Sequence, residues 1–402
     1  MKNKLLILLF TCIIFLSCLN NEKQKEQLLI KQNKTEHLEL LANGNLRYLK
    51  LNGTPYERGL THGKVLKKEI QEIINLFKQE IAETTKEDPD KFIAKFLKYT
   101  DYRTSVNKWM PELMKELQGI SKGSGVDLET IFMFQLGDEY WFNTKDILAH
   151  NCSSIGINKS NNKPSITAQN MDIPQFYHGF QTVLKISEPN SDKETMVLTM
   201  PGHLGITGMN NRLVSINCNT LMQLDYRKTG LPVTFIVRGV LDKNTQEEAL
   251  NFINKIEHAS GQNFIIGGAE KVYSLECSAN KVAEYRPFKN SFFTYHTNHP
   301  MSNTDYSKKY LAQLKTNNKT IEDGLNECLR IKSFQQRFTE NTTHIEIEDI
   351  KEVLRSKDNG SADVVSNNST YASVIYKLSD KPKFIIAPGK PHEIDYIEID
   401  FN

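Results

Sequence analysis

Near Cys152 the chain changes its hydrophobic period, and that change limits the folds open to it. From Glu57 to about Leu136 apolar residues recur at three- and four-residue steps: Leu66, Ile70, Ile73, Ile74 and Phe77, then Phe92, Phe96 and Leu97. That is the period of an amphipathic helix. Pro111 suits the first turn of a further helix through Gln118, which Gly119 to Gly125 is expected to break. After Cys152 short strand-like runs take over: 181–186, 195–200, 213–216, 232–237, 263–266 and 272–275, and at the end 373–378, 383–387 and 396–400. Two helical runs interrupt them, 245–256 and 320–330. No internal repeat or long low-complexity region is present. Strands flanked by blocks of helix predict a layered α+β protein, with sheets face to face and helices outside.

At the point of change sits the pattern with the most chemistry. Cys152 heads the strand-like run Cys152-Ser153-Ser154-Ile155-Gly156-Ile157, and a second run from Ser165 to Ala168 leads to Gln169-Asn170-Met171-Asp172. Asp172 follows Cys152 by 20 residues, about two strands and the turn that residues 158–164 mark. Such a hairpin returns a carboxylate to the end of the strand that carries the thiol. Read alone, an isolated Cys is most often a small buried hydrophobe, and an Asp ending a strand is most often a turn cap.

The 402 residues, 39% hydrophobic and 24% charged, are enough for a sizeable core. The net charge is +2, with lysines scattered among acidic residues, so nothing marks a nucleic-acid partner. Lys2 and Lys4 precede the apolar run Leu5 to Leu16, which reads as a secretory signal. Phe15-Leu16-Ser17-Cys18 then resembles a bacterial lipobox in which Cys18 would be lipidated. Residues 1–18 are read as a lipoprotein signal and 19–37 as a polar tether, giving an exported protein held to a bacterial membrane by its lipid. Cys152, Cys218, Cys277 and Cys328 are widely spaced, without a CxxC pattern, and His62, His203 and His296 lack metal-ligand spacing. No metal site and no cofactor are expected. Cys218 and Cys277 read as buried thiols, and Cys152 as free.

Several motifs occur in a fixed order along most of the chain. They are Gly53-Thr54-Pro55-Tyr56-Glu57-Arg58-Gly59 with His62-Gly63, Glu116-Leu117-Gln118-Gly119-Ile120, Gly123-Ser124-Gly125-Val126-Asp127, and Cys152 with the run Ala168 to Asp172. Gly208-Met209-Asn210, Asn219-Thr220-Leu221 and His296-Thr297-Asn298-His299 follow. Together they resemble the cysteine N-terminal-nucleophile (Ntn) hydrolases of the acyl-coenzyme A:6-aminopenicillanic acid acyltransferase type, relatives of choloylglycine hydrolases and acid ceramidase.

The resemblance implies a four-layer αββα sandwich, with 38–151 as a mainly helical pro-segment and 152–402 as the catalytic chain. It implies self-cleavage between Asn151 and Cys152, two chains that stay associated, and attack by Cys152 on a linear N-acyl amide through a thioester. Asp172 would orient the new terminus, Asn219 would donate to the oxyanion, and Asn298 would be a second active-site asparagine. Asn217, two residues before Asn219 and on the same strand face, competes with it. Leu213 stands where relatives commonly have Gly. The choloylglycine branch has Arg three residues before the Asp; Gln169 occupies that position and favours the acyltransferase-like branch. Two rivals remain: a papain-like set of Cys152, His299 and Asn298, and a surface-tethered binding lipoprotein of the same fold without catalysis.

Overall fold

The computed structural model describes residues 37–144, 152–160, 163–326, 328–358 and 363–401. The signal with Cys18, the tether up to residue 36, and Asn151 lie outside the described residues. The chain divides into Met1–Glu39, of which 37–39 are described, and Leu40–Asn402, which holds the candidate site.

The block with helical period folds as α1 (Pro55–Val65), α2 (Lys67–Thr85), α3 (Pro89–Tyr99), α4 (Tyr102–Trp109), α5 (Pro111–Ser124), α6 (Leu128–Phe134) and α7 (Gly137–Thr144). A capping box starts α1: Thr54 accepts from the Glu57 N–H, and Glu57 Oε2 accepts from the Thr54 N–H at 2.8 Å. Ile70, Ile73, Ile74, Phe77 and Ile81 form the buried face of α2. Gly119 does not break α5; the helix runs through it to Gly125, which takes φ 76° at the C-cap. The glycines serve packing instead. Gly59 and Gly63 of α1 face Gly119 and Gly123 of α5, where a Cβ on Gly59 would lie 1.9 Å from the Glu116 carbonyl oxygen and one on Gly119 2.2 Å from that of Tyr56. Only backbone fits between these two helices.

The remaining elements are β1 (Leu46–Leu51), β2 (Cys152–Ile157), β3 (Ser165–Asp172), β4 (Thr182–Ser187), β5 (Glu194–Thr199), β6 (Thr207–Asn210), β7 (Ser215–Thr220), α8 (Val233–Leu241), α9 (Gln246–Lys255), β8 (Gln262–Gly267), β9 (Val272–Cys277), β10 (Val282–Tyr285) and β11 (Phe293–His296). After them come α10 (Lys308–Thr316), α11 (Ile321–Asn326), α12 (Leu329–Arg337), α13 (Ile347–Arg355), β12 (Thr370–Leu378), β13 (Lys383–Ala387) and β14 (Ile397–Asp400). One sheet includes the order β1-β4-β5-β6-β7-β8-β9-β10, and the other runs β11-β2-β3-β12-β13-β14. β2 and β3 pack across on β7 and β8; α8 and α9 cover the first sheet, α12 and α13 the second. The layering is helix, sheet, sheet, helix, the αββα sandwich that the resemblance implied.

Two expectations fail locally. The run 232–237 is the start of α8 rather than a strand. Pro232 sits at its N-cap and all nine residues of α8 are buried, so the β-branched content reflects burial on every face. The run 320–330 is two helices, because the Leu329 N–H finds a new acceptor in Asp363 Oδ2 at 2.7 Å and begins α12 there.

The helical block is locked to the sandwich through buried charge. Glu116 on α5 accepts from Arg238 of α8 at 2.8 and 3.0 Å and from Arg58 of α1 at 3.3 Å. Burial alone would raise the Glu116 pKa; the Arg238 charge and hydrogen bonds and the Arg58 charge outweigh it and hold it below the usual value. Nearby, His62 Nε2 accepts from the Gly202 N–H at 2.9 Å. Gly119→Ala forces backbone apart and should cost about 1–3 kcal/mol, the range of an overpacked core. Gly137→Ala, whose Cβ would meet nothing within 4 Å, should change stability by less than about 0.5 kcal/mol. Urea denaturation of both variants checks this, and equal midpoints would refute the close-packing account.

Candidate active site

The hairpin forms as read. β2 pairs antiparallel with β3 so that Cys152 lies opposite Met171, one residue short of Asp172. β11 flanks β2 on its other edge and pairs His296 with Ser154, which brings the following Asn298 to the start of β2. The Cys152 N–H donates to Asn298 Oδ1 at 2.6 Å, and Asn298 Nδ2 donates to the Thr220 carbonyl at 3.0 Å. Of the four residues singled out, Cys152 and Asn298 therefore touch directly, and Asp172 follows Cys152's pairing partner.

The Cys152 thiol is almost fully buried. Its neighbours are Met171 Sδ at 3.7 Å and the Asp172 carbonyl at 3.8 Å, and no described side-chain base bonds to it. Burial, then the Asp172 charge, push its pKa up to about 12. Asp172 accepts from Asn367 Nδ2 at 2.7 Å through Oδ2, while Oδ1 is buried without a described partner. Burial raises its pKa to about 7 against the lowering effects of Thr370, Arg330 and Asn367.

Asn219 and Asn217 differ in what their amides have left to give. Asn219 Oδ1 accepts from Ser154 Oγ at 2.6 Å and Asn263 Nδ2 at 3.2 Å, and its Nδ2 is buried with no described acceptor. Asn217 spends its Nδ2 on Thr207 Oγ1 at 3.0 Å. A spare donor, one hydrogen bond away from Ser154 of the strand that Cys152 opens, therefore belongs to Asn219. Gln169, at the position of the choloylglycine Arg, bonds through its amide to both the N–H and the carbonyl of Cys218, a clamp between the two sheets.

Three contributors carried no sequence signal. Arg330 on α12 donates through Nη1 to the Cys152 carbonyl at 2.5 Å and through Nη2 to Asn298 Oδ1 at 3.2 Å, with Asp363 as its carboxylate partner at 2.6 Å. It lay inside an unremarkable helical run. Asn367 comes from a turn before β12. Glu276 on β9 accepts from His296 Nε2 at 2.7 Å and from the backbone N–H groups of Met301, Ser302 and Asn303 at 2.6, 2.9 and 2.6 Å. That pins both ends of the loop carrying Asn298. The papain-like arrangement does not form among the described residues: His299 engages Cys328, not Cys152. Burial raises the Cys328 thiol, yet the His299 hydrogen bond and Arg330 charge outweigh it and bring it to about 7. Among the described residues no group of His, Cys, Asp and Glu is arranged to hold a metal ion.

A family model described as "Acyl-coenzyme A:6-aminopenicillanic acid acyl-transferase" matches residues 157–387, more than half of the chain, starting within the strand that Cys152 opens. The acyl-coenzyme A:6-aminopenicillanic-acid-acyltransferase 40 kDa form of Emericella nidulans is 27% identical over 263 residues, 65% of this chain and 71% of the relative. Among solved structures, a Caenorhabditis elegans N-acylethanolamine-hydrolyzing acid amidase ortholog aligns at TM-score 0.42 and 18% identity, covering 56% of this chain and 92% of that one. Penicillin V acylase from Agrobacterium tumefaciens aligns at TM-score 0.35 and 14% identity, covering 61% and 86%.

The raised pKa of Asp172 has a measurable sign. An unfolded Asp titrates near about 3.9. With a folded value of about 7, the native state holds the proton more tightly. That contribution is full below about pH 4 and is lost as pH rises through about 7. In a Cys152→Ala background, Asp172→Asn keeps an acceptor for Asn367 and removes the charge. The variant should match its parent at about pH 4 and exceed it by a few kcal/mol, on the order of the linkage, at about pH 8. Urea melts across that range give the difference, and a gap independent of pH would rule out a neutral, buried Asp172.

Proposed function

This chain belongs to the acyl-coenzyme A:6-aminopenicillanic acid acyl-transferase family, and from that premise we propose that it is a self-processing cysteine Ntn hydrolase that cleaves linear N-acyl amides through a Cys152 thioester. The observation that carries the reading is the isolation of the thiol. No described His or Lys bonds to Cys152 Sγ, whose pKa burial pushes up to about 12, which supports a base supplied by Cys152 itself. In the first step Sγ attacks the Asn151 carbonyl, the C–N bond breaks as the Cys152 nitrogen takes a proton, and water hydrolyses the thioester. The product begins at Cys152 with an α-amine of pKa roughly 7.7–8.0, suited to accept the thiol proton near neutrality. Residues 38–151 and 152–402 would then be separate chains held together by the Glu116–Arg238 ion pair and the His62–Gly202 hydrogen bond.

In turnover the amine takes the Sγ proton and the thiolate adds to the substrate carbonyl. The oxyanion is met by Asn219 Nδ2, and the ammonium returns its proton to the departing amine. Water then resolves the acyl-enzyme. Asp172 Oδ1, which has no described partner, accepts from the ammonium, while Asn298 and Arg330 hold the Cys152 backbone. Water is favoured over an amine acceptor or coenzyme A transfer because the lipobox ending in Cys18 argues for a protein outside the cytoplasm, anchored by lipid.

Intact-mass measurement should find the chain cut between Asn151 and Cys152, and Cys152→Ala should abolish both the cut and amide hydrolysis. A wild type that stays uncut on prolonged incubation removes self-processing. Asn219→Ala should slow turnover by about a hundredfold or more, the loss of one oxyanion donor, whereas Asn217→Ala should act on stability. Turnover that tolerates Asn219→Ala and not Asn217→Ala would move the oxyanion site two residues back. Labelled palmitate should enter through Cys18 and be lost in Cys18→Ala; an unlabelled wild type would exclude the lipid anchor.

A further inference from the structure

Beside the nucleophile lies a cavity of about 70 Å³ whose walls include Cys152, Met171 and Asp172. It has room for on the order of five water-sized positions, hence a short group rather than a long chain. Part of its wall comes from the segment preceding Cys152: Phe134 at the end of α6, and Asp138 and Trp141 on α7. Tyr177 adds a third ring, with its centroid 6.1 Å from that of Phe134.

Asp138 is half-buried in this wall. Its Oδ2 accepts from Thr220 Oγ1 and Gln262 Nε2, both at 2.7 Å, and no described residue donates to Oδ1. Among the described residues no Lys or Arg lines the cavity. The histidine that does, His203, is held neutral by burial, its pKa lowered to about 3. The acidic side chains facing the space are two carboxylates, Asp138 and Asp172, among aromatic rings, and burial raises the pKa of both. Aromatic faces attract cations through their quadrupole, and a carboxylate oxygen with an unused lone pair accepts from an ammonium. An anionic group would meet two acids and, among the described side chains of the wall, no lysine or arginine.

We propose that this cavity selects amides bearing a short ammonium-ended group, with Asp138 as the specificity-determining residue. The inference rests on the hydrolase reading for the reaction and adds the substrate class. It also gives the segment before Cys152 a lasting role, because α7 remains part of the substrate wall after any cut. An ammonium in the cavity would offset the negative field that Asp172 and Asp138 exert on the thiol, so the preferred substrate would help form the thiolate that attacks it.

The test uses three 4-nitroanilides of matched length, whose acyl groups are 3-aminopropanoyl, butanoyl and succinyl. On the wild-type protein kcat/KM should favour the ammonium-ended compound over the methyl-ended one by about tenfold or more, with the carboxylate-ended one last; tenfold is the scale of one charge-assisted contact. Asp138→Asn should pull the ammonium-to-methyl ratio towards one. Calorimetric binding of the same compounds to Cys152→Ala should follow the same order. Turnover without that order, or a ratio unmoved by Asp138→Asn, overturns the inference and leaves the hydrolase reading intact. Absence of turnover with the binding order preserved overturns the hydrolase reading instead. Equal binding of all three compounds overturns the inference whatever happens in catalysis.

Discussion

A buried guanidinium behind Cys152 holds the candidate site together. Arg330 is 2% exposed, so water does not solvate its charge and protein acceptors must. It finds them in separate parts of the chain: the Cys152 carbonyl and Ser153 Oγ on β2, Asn298 Oδ1 in the loop after β11, and Asp363 before β12. The fork of N–H donors reaches all of these in one plane, which a lysine ammonium would not. Burial works against the charge, and Cys328, Asp363 and Asp172 outweigh it. Removing any one acceptor leaves part of a buried cation unmet, so the positions of β2, the Asn298 loop and α12 are tied to one another.

Around that centre the two sheets meet through polar contacts as well as apolar ones such as Gly156 against Ile265 and Val272. Ser154 bonds to Asn219 at 2.6 Å, Thr167 to Ser215 at 2.8 Å and Thr207 to Tyr376 at 3.1 Å, each pair spanning the two sheets. The apolar residues of β2 and β3, Ile155, Ile157, Ile166 and Ala168, belong instead to the cluster shared with Phe334, Ile350, Val353 and Leu354 under α12 and α13. Dispersion packing tolerates small slips. Short directional hydrogen bonds do not. A polar interface fixes the distance from β2, which carries the thiol, to β7, which carries the spare amide of Asn219, more tightly than an oily one would.

The outline of this arrangement was legible in the sequence where local pattern decides structure. Alternating and helical periods located most elements, and the turn residues between Ile157 and Ser165 fixed a hairpin that sets Cys152 beside Asp172. Resemblance added Asn219 and Asn298, and the free Nδ2 of Asn219 is what separates it from Asn217. Long-range partners stayed invisible. Arg330 reads like any basic residue on a helix until α12 packs on β11, and Glu276 reads like a strand end until three backbone N–H groups close on it. The glycines of α5 looked like helix breakers because nothing local says that the backbone of α1 will fill the space. Pro232 to Val237 looked like a strand because β-branched residues signal burial as readily as β structure.

Electrostatics gives the parts a sequence in time. In the unbroken chain the thiol is pushed up to about 12 and Asp172 to about 7, both chiefly by burial, and Asp172 Oδ1 and Asn219 Nδ2 are buried with nothing described to bond. Such orphaned groups are costly, each worth roughly 1–3 kcal/mol. Under the proposed cleavage the Cys152 amide, a single donor already committed to Asn298, becomes an ammonium with three donors. One can stay on Asn298 and another can reach Asp172, whose ionised form is then favoured by an adjacent positive charge. The same charge stabilises a thiolate. Asn219 Nδ2 would remain unmet, and in the proposed mechanism an oxyanion arriving with substrate would satisfy it. Under the proposed mechanism, cleavage would complete one half of the site and each turnover the other.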